Sequence, residues 1–134
     1  MAIPRNLITL LLAALVATPV WGGDAQRGEQ ISKTRCAACH TFQEGGANRV
    51  GPNLWSVVAN GPGQRRGFNY SPDYRRAVAT GFAWDDANLD LYLEDPTVFL
   101  REVTGHGNAR SRMTFKLPRE SDRSDVIEYL KTLQ

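Results

Sequence analysis

The sequence predicts an all-α domain of about five short helices joined by long loops. Helix start and stop signals recur along the chain, and no segment shows the sustained apolar–polar alternation of a half-buried strand. From about residue 34 to about residue 69 the chain reads as loop, punctuated by Gly45-Gly46, Gly51-Pro52 and Gly61-Pro62-Gly63. So much ordered loop in a small domain requires something to wrap around.

The elements follow in order. Residues 1–22 stand outside the fold: Arg5 is their only charge, and Leu7 to Val20 is an almost continuous apolar run. With Val20 and Gly22 three residues and one residue before a cut at Gly23, this is the pattern of a secretory signal peptide. A membrane anchor is the alternative, but the run falls short of the roughly 18–20 residues a span needs. Residues 23–134 then form a single domain.

Within it, Asp24 is placed to cap a first helix running to about Thr34. Ser71-Pro72-Asp73 supplies a cap, an N1 proline and a first-turn acid for a second, with Gly81 as its stop. A third starts at Asp85 or Asp86, turns Leu89 and Leu93 inward and ends before Pro96. Asp95-Pro96 opens a fourth, with Phe99, Leu100 and Val103 inward and Gly105 closing it. Ser121 or Asp122 caps the last, whose Val126, Tyr129, Leu130 and Leu133 keep helical spacing.

Composition sharpens the question of what the loops enclose. Leu, Ile, Val and Phe number 22 of the 112 residues after the leader, thin for a self-sufficient core. The near-neutral net charge nevertheless argues against disorder, and a large apolar cofactor at the centre would resolve the tension. Charge is unevenly spread: residues 30–80 carry seven Lys or Arg against two acids, and residues 103–119 carry four bases and no acid. These basic segments suit an acidic protein partner. Nucleic acid is not expected, because aromatic stacking platforms are absent beside the arginines and the chain carries an export signal.

Both cysteines and one of the two histidines fall in Cys36-Ala37-Ala38-Cys39-His40. A redox disulfide of this spacing normally follows a strand in a βαβ pattern, and none is apparent. Structural zinc needs four ligands, which would force adjacent Cys39 and His40 onto one ion beside His106. A structural disulfide would close a tiny, strained loop. Cys-x-x-Cys-His reads instead as c-type haem attachment. Two thiols add to the two vinyl groups along one porphyrin edge, and the next residue brings its imidazole to the iron. Cys36 and Cys39 are therefore the expected thioether anchors of one covalent haem c, and His40 its proximal ligand.

The opposite ligand is sought by elimination. Met1 leaves with the leader, so Met113 is the mature chain's only methionine and His106 its only other histidine. Met113 lies in the polar, loop-like Arg110-Ser111-Arg112-Met113-Thr114-Phe115, unlike a core stripe, whereas His106 lies between two glycines in an expected flexible turn. Met113 is preferred.

At this point the chain resembles the class I cytochromes c, most closely the bacterial periplasmic cytochrome c2 type, over essentially all of residues 23–134. Gly23-Asp24 with Gly28 is similar to that family's first helix, where a glycine lets the last helix cross closely, and Tyr129 to the aromatic that packs there. Cys36 to His40 and Gly51-Pro52-Asn53-Leu54 resemble its haem-binding segments. The resemblance implies the cytochrome c fold wrapped around one haem. It implies that the Pro52 carbonyl accepts from His40, that Tyr70 and Trp84 hold a propionate, and that Tyr92 approaches the Met113 sulfur. It also implies that Ser111 reaches the inner propionate.

Three departures stand out. Asn60 replaces a buried arginine usual near the propionates, Ser32 replaces an aromatic opposite Tyr129, and the long Pro96–Met113 connection contains His106. The expected function is non-enzymatic: a monomeric periplasmic carrier of single electrons between membrane complexes or periplasmic redox enzymes. Arg35, Arg49, Arg110, Arg112 and Lys116 are its candidate docking charges. A peroxidase or ligand sensor in which Met113 dissociates, and a subunit fixed to a larger complex, are the rivals.

Overall fold

The computed structural model describes residues 22–134, so the leader expected at residues 1–22 lies outside them apart from its last residue. They form six helices and, among the described residues, no strand. These are α1 (Ala25–Arg35), α2 (Val57–Asn60), α3 (Pro72–Val78), α4 (Asp86–Glu94), α5 (Pro96–Thr104) and α6 (Glu120–Thr132).

Four helix starts are set by the expected local caps. The Asp24 carboxylate accepts from the Gln26 and Arg27 amides, Ser71 from Tyr74, Asp85 from Asn88, and Asp95 from Thr97 and Val98. Gly105 closes α5 in the left-handed region at φ 69°, where a side chain would be strained.

Two boundaries differ from the sequence reading. The single-turn α2 falls within the stretch read as loop; it has no side-chain cap and is held from outside, the Ser56 amide donating to the Leu133 carbonyl at 2.8 Å. The last helix starts at Glu120 with Arg119 at the cap position, not at Ser121 or Asp122. Asp122 is drawn sideways to α1, accepting from Arg27 at 2.8 Å, and so does not cap its own helix.

The fold closes where α1 crosses α6. A Cβ on Gly28 would sit 1.9 Å from the Asp125 carbonyl oxygen, so only glycine permits this approach. Arg27 bridges to Asp122 and Asp125, and Asp125 accepts the Asp24 amide at 2.7 Å, fastening the crossing from its polar side. Tyr129 packs there against Phe42, their ring centroids 5.8 Å apart, and Ser32 is fully buried. Leu89, Leu93, Phe99, Leu100, Val126, Leu130 and Leu133 are buried as their spacing predicts, and Val103 is partly so. Buried Arg123 ties α6 to α4 through Asp90 at 2.7 Å and also donates to the Leu117 and Pro118 carbonyls.

The thin apolar content has a structural counterpart. Leu54, Trp55, Val57, Tyr74, Tyr92, Met113 and Phe115 pack against the core on one side and remain only partly covered, because their other side faces a large cavity.

Candidate haem site

The cavity has a volume of about 1110 Å³. All nine residues expected from the sequence line it: Cys36, Cys39, His40, Pro52, Tyr70, Trp84, Tyr92, Ser111 and Met113. His106 does not; it is exposed in the loop after α5.

The attachment motif is a helical turn added to the end of α1. The Cys39 and His40 amides both donate to the Cys36 carbonyl, at 3.1 and 3.0 Å. Residues 36, 39 and 40 therefore share one face, as three- and four-residue spacings on a helix do. Neither thiol is in a disulfide. Burial raises the Cys36 thiol pKa, with Ser32 and Arg35 opposing, which is the wrong direction for a reactive redox thiolate. Among the described residues, no three of His, Cys, Asp and Glu converge as metal ligands, so the four-ligand zinc arrangement is not formed.

His40 is held from behind. Its Nδ1–H donates to the Pro52 carbonyl at 2.7 Å, which leaves Nε2 as the unprotonated nitrogen. Burial lowers its pKa, with the Pro52 bond opposing, so the ring favours the neutral form that can ligate a metal. Gly51 lets the chain pass the ring: a Cβ there would lie 2.3 Å from His40 Cε1. Buried Asn53 fixes this segment, its side-chain amide donating to Thr41 Oγ1 at 2.8 Å and to the Gln43 carbonyl at 3.0 Å. The Leu54 amide also donates to the Thr41 carbonyl at 2.8 Å.

Met113 is supported by a different set of elements. Its amide donates to Ser111 Oγ at 3.1 Å, and the Ser111 amide donates to Thr97 Oγ1 on α5 at 3.1 Å. The Arg110 amide reaches back to Asp73 on α3 at 2.9 Å, while Arg112 donates to the Asn69 carbonyl. The Pro96–Met113 connection thus brackets the methionine between α3 and α5. Ser111 also hydrogen-bonds Tyr92, whose pKa burial pushes up to about 12. The Ser111 hydroxyl is thereby engaged in placing Met113 and Tyr92.

The third wall is aromatic. Tyr74 stacks on Tyr70 with centroids 5.0 Å apart and meets Tyr92 edge-on at 6.3 Å. Trp84 is buried among Phe82, Tyr92 and Phe99. Burial raises the Tyr74 pKa strongly, against hydrogen bonds with Gly63 and Trp84, so its hydroxyl stays protonated. The sequence reading missed Tyr74 as a site residue; its only local signal was a place just inside the α3 start. Arg65 was missed likewise, and Asn53 entered only as one position of the haem-binding segment Gly51-Pro52-Asn53-Leu54.

Together these features fit a large, flat, apolar group that is anchored through sulfur and carries negative charge at one edge. Two unpaired thiols share a face with a neutral imidazole, and a methionine lies in the same cavity. Arginines line the walls, and among the described residues no aspartate or glutamate does.

A family profile described as cytochrome c matches residues 25–134. The chain belongs to the cytochrome c family. Cytochrome c-550 of Novispirillum itersonii is 52% identical over 112 residues, covering 84% of this chain and 100% of that protein. Cytochrome c2 of Rhodospirillum rubrum is 47% identical over 112 residues, covering 84% and 82%. The solved structure of cytochrome c2 from Rhodospirillum centenum superposes with a TM-score of 0.77 at 39% identity, covering 84% of this chain and 99% of that one. As a cytochrome c, the protein carries one covalently bound haem c, and it transfers electrons and is not an enzyme.

The candidate docking charges of this cytochrome divide. Arg35, Arg49 and Arg112 line the cavity and are exposed at its rim. Arg110 is exposed away from the lining, and Lys116 is paired with Asp95 at 2.5 Å. No helix among the described residues is long and apolar enough to cross a membrane.

Proposed function

We propose that the chain is a monomeric periplasmic shuttle of single electrons, exported by its leader at residues 1–22, with His40 and Met113 as the two axial ligands of its haem iron. The observation that carries this reading is that His40 and Met113 line the same cavity as Cys36 and Cys39, whereas His106 lies outside it. When bound, the haem supplies a one-electron ferric/ferrous couple. The chain's own residues set its properties. Cys36 and Cys39 would anchor one edge through thioether bonds. His40, tautomerically fixed by Pro52, presents Nε2, and the bond to Pro52 raises its basicity as a ligand. Met113, held through Ser111, Thr97 and Asp73, would be the second ligand and, as a soft neutral sulfur donor, would raise the potential.

With His40 and Met113 both bound, the iron would keep no position for oxygen or peroxide. Ligand segments braced from several helices move little between oxidation states, which favours fast transfer. Tyr70 would donate to a propionate and Tyr92 would stand beside the methionine, while Trp84, whose single N–H meets Tyr74, would pack along the same wall. The exposed Arg35, Arg49 and Arg112 at the cavity rim steer acidic surfaces of membrane complexes or periplasmic redox enzymes into short-lived contact.

The test is carbon monoxide binding with a redox titration of the purified holoprotein. The wild type is expected to exclude carbon monoxide; Met113→Ala opens the iron and lowers the potential, and His106→Ala does neither. Ready binding by the wild type, or opening by His106→Ala alone, overturns the ligand assignment.

A further inference from the structure

Charge around the cavity is one-sided. Arg35, Arg49, Arg65, Arg66 and Arg112 line it, and of these five only Arg65 is not exposed. Its guanidinium is clamped in place: Nη2 donates to the Gly46 carbonyl at 2.7 Å and Nε to Asn48 Oδ1 at 3.2 Å. None of the ion pairs found among the described residues includes Arg65. A half-buried cation, immobilised by neutral acceptors and facing a cavity without carboxylates, lacks a counter-charge. Its side chain carries five N–H donors, and the two clamping bonds leave others unspent. Because the clamp has already restricted its rotamers, ordering it against a ligand costs little further entropy.

We propose that Arg65 is the cation that pairs with a haem propionate in this chain, an inference that rests on the haem reading of the cavity. The same residue builds the neighbouring donor. Its backbone amide donates to Tyr70 Oη at 3.1 Å, so the Tyr70 hydroxyl accepts there and keeps its proton for an acceptor in the cavity. Asn60 also lines the cavity but is exposed and uncharged, so it cannot balance a carboxylate. The other titratable or charged groups on this wall are Tyr70 and Tyr74, both held protonated by burial, and exposed Arg66, Arg75 and Arg112, the last two donating to the Tyr70 and Asn69 carbonyls. Among the described residues, Arg65 is therefore the one cation of this cavity that is both half-buried and clamped, and so best placed to keep a carboxylate ionised in the partly apolar cleft.

The experiment follows midpoint potential against pH for the holoprotein, together with the carboxyl region of the redox-difference infrared spectrum. The wild-type potential is expected to stay flat between about pH 5 and pH 8, because the paired propionate titrates below that range. Arg65→Ala brings a redox-linked protonation into the window and a protonated-carboxyl band into the spectrum. Arg65→Lys restores part of the wild-type profile, and Arg66→Ala, a charge lost from the same rim, leaves it unchanged. Should Arg65→Ala fail to mature, Arg65→Gln keeps a donor towards Gly46 while removing the charge, and the same two readouts apply. Profiles of Arg65→Ala or Arg65→Gln that coincide with wild type overturn the proposal, as does an equal effect from Arg66→Ala. Wild-type protein without covalent haem on a denaturing gel would instead sink the haem reading beneath it.

Discussion

At Gly51 there is no room for a side chain, although its backbone is not in the left-handed region. The constraint is the His40 ring, whose Nδ1 would lie 2.7 Å from an added Cβ. Gly51→Ala must push either the ring or the Pro52 carbonyl out of register, breaking the bond that fixes the imidazole. We expect it to destabilise the holoprotein by about 2 kcal/mol through overpacking and to shift the His40 ring resonances. An unchanged melting temperature and an unchanged ring spectrum would refute this. The glycine and the proline were legible in sequence as part of one motif. That the ring itself sets the need for glycine was not, because residues 40 and 51 meet only after the intervening loop folds around Asn53.

Among the elements, the link between α3 and the methionine segment has a consequence for function. The Asp73 carboxylate accepts the Arg110 amide at 2.9 Å and pairs with Arg76 at 2.6 Å, so it ties residue 110 to a helix 37 positions earlier. We predict that Asp73→Ala loosens the segment carrying Met113 and raises the affinity of the ferric protein for added imidazole several-fold, the bond being solvent-exposed and therefore modest. Asp73→Asn keeps an acceptor and is expected to stay near wild type. Equal affinities in all three proteins would show that α3 does not restrain the ligand loop. Helix starts at Asp24, Ser71, Asp85 and Asp95 were readable because a cap is a contact within three residues. The starts of α2 and α6 were not, since α2 hangs on the Leu133 carbonyl and Asp122 turns to Arg27.

For the whole molecule, charge placement matters more than net charge, which is only +2 for the full chain. Four exposed arginines cluster on the walls of the haem cavity, while Asp86, Asp90, Glu120 and Glu128 surround a shallow depression elsewhere. On the docking role proposed above, such an arrangement would orient the haem edge toward an acidic partner during approach, and salt would screen it over about 8–10 Å. The bimolecular rate with an acidic redox partner is therefore expected to fall steeply as ionic strength rises. Neutralising Arg35, Arg49 and Arg112 together should flatten that dependence. A salt-independent wild-type rate would remove the basic rim from the docking mechanism.

By itself the sequence determined the chemistry that lies within a few residues. The attachment motif, the capped helices and the apolar faces of α4, α5 and α6 each depend on spacings of three to five residues along one chain segment. Elimination extends the proposal to Met113, because residues 23–134 hold no other methionine. The tertiary structure decided what depends on distant segments arriving together. It supplies the Gly28 crossing, the Thr97–Ser111–Met113 brace, the Tyr74 stack and the clamped, unpaired Arg65. Arg65 shows the difference most plainly. In sequence it is one of two adjacent arginines, indistinguishable from Arg66. Only the fold, by bringing Gly46 and Asn48 against its guanidinium, half-buries one and leaves the other in water.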